Sequence, residues 1–319
     1  MKTAQALLAC AALAGACTAP AASAAGYPDR PVKVIVAFSP GGTTDTLTRS
    51  VTNTLTQKLG QPFVVENKPG AGGNIGTEYV VRAAPDGHTL IVDSVGPIAV
   101  NPSLNKLSYD PLTDLVPMVQ IATVPNVLVV PPSSPAKDIQ GFLKYVKSAR
   151  ELNYSSTGVG TSSHLSSYML MDELKVNATH VPYKGADAVN DLLAGRIDFM
   201  FATIPSVIGH IRAGKLRALA VSTQQRSATL PELPTIAESG YPGFDAGSWF
   251  GFFAPKGTPQ QVVDLVNREV NATLPALNEQ MLREGAEPVG GTPAQFATFI
   301  KSEHDKWAVL VKKFDPQAH

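Results

Sequence analysis

Cysteine is nearly absent from this sequence, and its placement decides what that excludes. Both cysteines, Cys10 and Cys17, fall within the first 24 residues. That stretch is laid out as an export signal: Lys2 supplies the positive n-region, Ala6 to Ala16 an apolar run broken by Gly15, and Ala22-Ser23-Ala24 a small-x-small cleavage site. Cleavage there leaves a mature chain with no cysteine, which excludes disulfides, thiol nucleophiles and Cys-ligated zinc. A lipid anchor fits neither cysteine well: Leu7-Leu8-Ala9-Cys10 leaves too short an apolar run, and Ala14-Gly15-Ala16-Cys17 lacks the large aliphatic residue. Long apolar runs are missing too, so neither the signal nor any later charge-free stretch is long enough to cross a bilayer.

An excess of one charge is also lacking. Lys plus Arg and Asp plus Glu each number 26, so the chain is formally neutral and loss of Lys2 leaves about −1. No basic block offers a surface to nucleic acid. There is no Gly-x-Ser-x-Gly elbow, no His-Glu-x-x-His pair and no Gly-x-x-x-x-Gly-Lys-Ser/Thr loop, and His88, His164, His180 and His210 are scattered. This inventory weighs against catalysis and predicts no catalytic residue, no metal and no cofactor.

What is present is a repeated alternation of short β-rich runs and amphipathic helical patterns. Val32 to Phe38 reads as a buried strand; Leu47, Val51, Leu55 and Leu59 then recur on one helix face that Gly60 ends. The same pattern continues through strands at Asn126 to Val130, Leu152 to Ser155, Thr179 to Val181, Ile197 to Phe201 and Leu216 to Val221, with helices between them. Such repetition predicts an α/β fold of open, mostly parallel sheets covered by helices. Two segments look like crossings between domains: Ile121 to Val130, interrupted by Pro125, and Tyr241 to Phe253. They predict a signal peptide over 1–24, one domain from 27–124 plus 250–319, and another from 125–249.

Four strand-to-helix turns carry the polar chemistry. Ser39-Pro40-Gly41-Gly42-Thr43-Thr44-Asp45 turns tightly on its glycines, with Thr43 or Thr44 as helix cap, and aims free amides into whatever lies beyond the strand. Asp45 is expected to pair with Arg49 one turn on. Asn67 to Gly76 is a second glycine-rich turn. Its Gly-x-Gly-Gly-x-x-Gly spacing, with Asp93 near a ribose-binding offset, keeps open a nucleotide- or phosphate-using enzyme built on Gly70 to Gly76. Ser155 to His164 repeats the first turn's logic, with Ser162 or Ser163 as cap and His164, in the first helical turn, read as a surface or capping residue. Pro182-Tyr183-Lys184-Gly185 is the fourth, where Lys184 could lend a charge. In open α/β sheets ligands bind beyond the strand carboxyl ends, so turns from both halves predict a cleft between them.

On these residues the chain resembles the Bug-type solute-binding receptors of tripartite tricarboxylate transporters. The resemblance rests on Tyr27 to Val36, Phe38 to Asp45, Asn67 to Gly76, Ala84 to Leu90, Tyr183 to Gly185, Gly214 to Val221 and Phe253 to Pro259, and covers essentially the whole mature chain in order. It implies a type II periplasmic-binding-protein fold, two α/β domains joined by two hinge strands around a cleft. It also implies a monomeric periplasmic receptor for a small carboxylic acid, serving membrane subunits of that transporter type. On one wall it places Phe38, Ser39, Gly41, Gly42, Thr43, Asp45, Gly73, Asn74 and Ser94. The other wall takes Gly158, Thr161, Ser162, His164, Tyr183, Lys184 and Thr203. Many relatives carry an acidic residue at the position of Ala202, and its absence here argues against an amino-acid ligand. A sensor feeding a membrane kinase is the alternative role for the same fold.

Overall fold

The structure, a computed structural model, describes residues 26–312. The export signal and both cysteines lie outside the described residues. Eleven strands are present among them: β1 (Val32–Val36), β2 (Phe63–Asn67), β3 (Thr89–Ser94), β4 (Leu115–Val124), β5 (Asn126–Val130), β6 (Asn153–Ser156), β7 (Thr179–Pro182), β8 (Phe199–Thr203), β9 (Arg217–Val221), β10 (Ser248–Pro255) and β11 (Glu287–Gly290). They form two sheets, ordered β11-β4-β10-β3-β1-β2 and β7-β6-β8-β5-β9. The chain passes between sheets at Pro125 and again over 222–247.

The alternation predicts mostly parallel sheets; both are mixed. β1 pairs in parallel with β2 and β3, whereas β10 is antiparallel to β3 and β4, and β11 to β4. In the other sheet β6 is parallel to β7 and β8, and β5 is antiparallel to β8 and β9. The reversed strands next to each crossing are the reason. A strand that arrives from the other sheet has no crossover helix to turn it round, so β5 and β10 run against the βα-built strands they join.

Each sheet is covered by helices whose buried faces follow the sequence pattern. Helix Thr43–Leu59 buries Leu47, Val51 and Leu55 against Val32 and Val34 of β1, and ends at Gly60 in the left-handed conformation (φ 70°). Burying each such leucine or valine contributes roughly 1.5–3 kcal/mol. Helix Ser162–Leu174 buries Leu165, Leu170 and Met171, in one apolar cluster with Phe199 and Phe201 of β8. Among the described residues no helix is long and apolar enough to cross a membrane.

The crossings are tied together by a buried polar knot. Asn126, fully buried, donates from Nδ2 to Ala246 O (2.7 Å) and Ser166 Oγ (3.1 Å), and Ser222 Oγ also donates to Ala246 O (3.0 Å). Asn126 Oδ1 accepts from Ser162 Oγ at 3.4 Å, so the knot reaches the start of helix Ser162–Leu174. Asn126→Ala deletes one hub of this network, at a cost of roughly 1–3 kcal/mol for the polar groups left unsatisfied. A fall of several degrees in melting temperature is the expected reading by calorimetry; an unchanged value would mean that the knot holds nothing.

Candidate ligand-binding site

β1 delivers the chain through Ala37 and Phe38 into the turn Ser39 to Gly42, and helix Thr43–Leu59 starts there. Its N-cap is Gly42 in extended conformation, with no side-chain cap. Neither Thr43 nor Thr44 caps the helix, because both already lie inside its first turn. The amides of that turn therefore keep no partner within the helix. Asp45 holds the turn in shape instead. Its carboxylate accepts from Gly41 N (3.0 Å), Asn67 Nδ2 (2.9 Å) and Arg49 (2.9 Å). Burial alone would raise the Asp45 pKa, but these donors hold it below the usual carboxylate value.

In the other sheet's half, Thr161 is the N-cap of helix Ser162–Leu174, its Oγ1 accepting from His164 N at 3.4 Å. Ser162 and Ser163 are thus the first helical residues rather than caps, and Ser162 sits on the cavity wall. His164 is neither a surface residue nor the cap: it is buried, its Nδ1 accepts from Gly160 N (3.1 Å), and its ring stacks on His180 with centroids 4.0 Å apart. A third helix, Ile204–Arg212, starts at Thr203 with no side-chain cap.

These three helix starts meet at one cavity of about 180 Å³. From the first half its wall takes Phe38, Ser39, Gly41, Gly42, Thr43 and Ser94; from the second it takes Thr161, Ser162 and Thr203. The other residues expected at the site do not line it. Asp45 faces Arg49 and the Gly41 amide. Gly73 is packed so closely that a Cβ there would lie 2.4 Å from Pro97, and Asn74 Oδ1 accepts from Asn101 Nδ2 at 2.7 Å. Gly158 abuts Gly72, and His164 lies behind the wall. The Tyr183 hydroxyl donates to Asp191, while Lys184 projects into solvent and contributes its carbonyl to Ser39 Oγ. Local sequence missed Thr44, Thr157, Gly185, Ala186, Ser248 and Phe250 on the wall, and with them Val189 and Asn190 of helix Asp187–Leu193 and Ser206 and His210 of helix Ile204–Arg212. A signal existed for the last pair: 203, 206 and 210 share one helical face.

The two halves touch around this cavity. Thr43 Oγ1 and Thr203 Oγ1 are 2.8 Å apart, and Asn101 and Gly160 are so close that a Cβ on Gly160 would meet Asn101 Oδ1 at 1.8 Å. A Cβ on Gly72 would meet Val159 O at 2.1 Å. The glycines of 70–76 are thus taken up by close packing: Gly73 against Pro97 and Phe38, Gly76 against Ala37, Gly72 against the facing loop. These glycines thus serve the contacts of neighbouring segments, which accounts for them without a nucleotide. Asp93, the candidate ribose partner, is wholly buried and accepts from Thr77 Oγ1 (2.6 Å) and Ser94 N (2.9 Å).

Electrostatically the wall is made of dipoles. Among its residues there is no Lys, Arg, Asp or Glu, and His210 is the one ionisable side chain. Helix N-termini carry partial positive charge and open amides, so three of them with neutral hydroxyls around one cavity suit an anion rather than a cation.

Residues 47–315 match the model of the tripartite tricarboxylate transporter family receptor, TctC. The chain belongs to that family. The receptor is 40% identical to protein BugT of Bordetella pertussis over 297 residues, which covers 91% of each chain. It superimposes on the Rhodopseudomonas palustris protein Rpa4515 with adipate at a TM-score of 0.87 and 37% identity, covering 90% of this chain and 97% of that one. MatC from the same organism, with bound malate, matches at a TM-score of 0.85 and 35% identity over 89% of this chain and 100% of its own. The receptor therefore has the periplasmic-binding-protein fold of two α/β lobes joined by crossing strands around a cleft, and its role is solute binding. Ala202 needs correction in this light. Its side chain is fully buried in the core with Val127 and Val207, off the cavity wall, so the lack of an acid there says nothing about the ligand.

Proposed function

We propose that the receptor captures a small organic carboxylate between its lobes in the periplasm and delivers it, chemically unchanged, to membrane subunits of a tripartite tricarboxylate-type transporter. The observation that carries this reading is the convergence of three helix starts, two from one lobe and one from the other, on a cavity whose wall holds no carboxylate. Relatives of the same architecture bind adipate and malate, which is consistent with an acid held by amides and hydroxyls. The lobes that close are taken as 27–124 plus 250–319 against 125–249, and the receptor acts as a monomer reached through a cleaved signal peptide. A ligand ammonium would find no counter-charge on this wall, which favours a plain or hydroxylated acid over an amino acid.

The amides can be tested one at a time. Ser162 is the first residue of its helix, where proline is tolerated, and Thr161 before it is already extended (φ −75°, ψ 160°) as proline requires. Ser162→Pro removes one amide N–H from the cavity while sparing the helix; Ser162→Ala removes only the hydroxyl. Mass spectrometry of acid released from denatured receptor names the ligand, and titration calorimetry then compares the variants. A hydrogen bond to a charged group contributes roughly 1.5–3 kcal/mol, so Ser162→Pro should bind at least about tenfold more weakly than Ser162→Ala. Equal affinities would remove the peptide N–H from the recognition scheme.

A further inference from the structure

We infer that His210 is the specificity-determining residue at the far end of the cavity, selecting ligands that carry a second carboxylate; this rests on the carboxylate reading above. Three observations point there. The wall along helix Ile204–Arg212 is built from Thr203, Ser206 and His210, which lie on one face at the N-cap and then three and seven residues on. At 1.5 Å rise per residue, Thr203 and His210 stand roughly 10 Å apart along the axis. Thr203 marks the inner end, where its hydroxyl meets Thr43 across the cleft at 2.8 Å and the helix starts point. An anion held there leaves about that length of cavity to fill.

The second observation is chemical. His210 is the one ionisable side chain on the wall, and its ring makes no hydrogen bond to any described residue. Its backbone carbonyl is occupied, accepting from Lys215 N (2.9 Å), which fixes where the side chain starts but leaves the imidazole N–H to a ligand. Third, the neighbouring helix Asp187–Leu193 presents Asn190 to the same cavity, and Asn190 is exposed while His210 is half-buried. This end therefore meets solvent with two side-chain N–H donors. Val189, from that helix, and Phe250, from β10, give the wall apolar surface for a short methylene chain. Polar ends about 10 Å apart with apolar surface between them suit a straight dicarboxylate of about four to six carbons better than a monoacid of equal length.

The probes are succinate and adipate with their monoacid counterparts, butyrate and hexanoate, titrated into wild type, His210→Ala and His210→Gln. Wild type should prefer each diacid to its monoacid by at least tenfold. His210→Ala should reduce that preference about tenfold, and His210→Gln, which keeps an N–H donor, should restore part of it. Both variants change a partly exposed side chain, and an unchanged melting temperature without ligand checks that they fold. If wild type binds diacid and monoacid equally, or if His210→Ala lowers both in proportion, the His210 assignment falls and the carboxylate reading stands. If wild type binds none of the four acids, the His210 assignment falls, and the carboxylate reading then stands or falls on whether the molecule released from denatured receptor is an acid.

Discussion

Gly72→Ala should weaken ligand binding more than a hundredfold while leaving the unliganded receptor folded. Gly72 sits in the left-handed region (φ 63°), and its Cβ would lie 2.1 Å from the carbonyl oxygen of Val159 on the opposite lobe. That overlap is with backbone, so no side-chain rotation relieves it. Separation of the lobes does, and an open cleft forfeits one of the ligand's two walls. A hundredfold loss corresponds to about 2.7 kcal/mol at 1.36 kcal/mol per factor of ten, less than a hard contact of this kind imposes on the closed form. The left-handed backbone adds its own strain of roughly 1–2 kcal/mol in both forms, which Gly214→Ala isolates: Gly214 has nearly the same φ (67°) but nothing within 4 Å of its Cβ. Calorimetry and solution scattering on both variants decide the matter. Gly214→Ala should bind and compact as wild type does, and Gly72→Ala should do neither. Binding by Gly72→Ala within threefold of wild type would show that this contact is not part of the liganded form.

The second large effect concerns stability and the one wholly buried carboxyl beside the site. Burial pushes the Asp93 pKa up to about 7, against the weaker pull of hydrogen bonds from Thr77 and the Ser94 amide. In the unfolded chain an aspartate titrates near 3.9. Between about pH 4 and 7 the folded form therefore holds a proton that the unfolded form has lost. Stability from this group falls as pH rises through that window and is flat above it. At 1.36 kcal/mol per unit the full span is roughly 4 kcal/mol. Asp93→Asn removes the titration and keeps both partners with one bond reversed: the carboxamide oxygen accepts from Ser94 N, and its NH2 donates to Thr77 Oγ1, whose own proton goes to Gly73 O (3.0 Å). The variant should gain stability over wild type steadily from pH 4 to 7, by several kcal/mol at pH 8, measured by denaturant unfolding across pH. A difference that stays constant over that range would place the Asp93 titration at its ordinary position.

Both predictions depend on features that differ in how far the sequence shows them. Helix Thr43–Leu59 is legible because Leu47, Val51 and Leu55 repeat at helical spacing and Gly60 supplies the left-handed stop. β5 is legible because Asn126 to Val130 is a short β-branched run after a proline. β11 is not: Glu287–Gly290 is a four-residue edge strand with a half-exposed Val289, and it holds its shape only through pairing with β4. Nor are the helix caps legible to the residue: Thr161, Ser162 and Ser163 satisfy the local rules equally well, and Gly42 caps its helix although two threonines follow it.

The sequence by itself determined that glycine- and hydroxyl-rich turns follow buried strands in both halves, and that the chain crosses near Pro125. Local periodicity and turn chemistry are properties of neighbouring residues, so they can be read along the chain. Only the tertiary structure decided which of those turns face the cavity. It put Asp45 and His164 behind the wall, spent Gly72, Gly73 and Gly158 on close packing, and brought Asn190 and His210 to the cavity's open end. Such choices are made where distant segments pack against each other, and no local pattern encodes the far side of a contact.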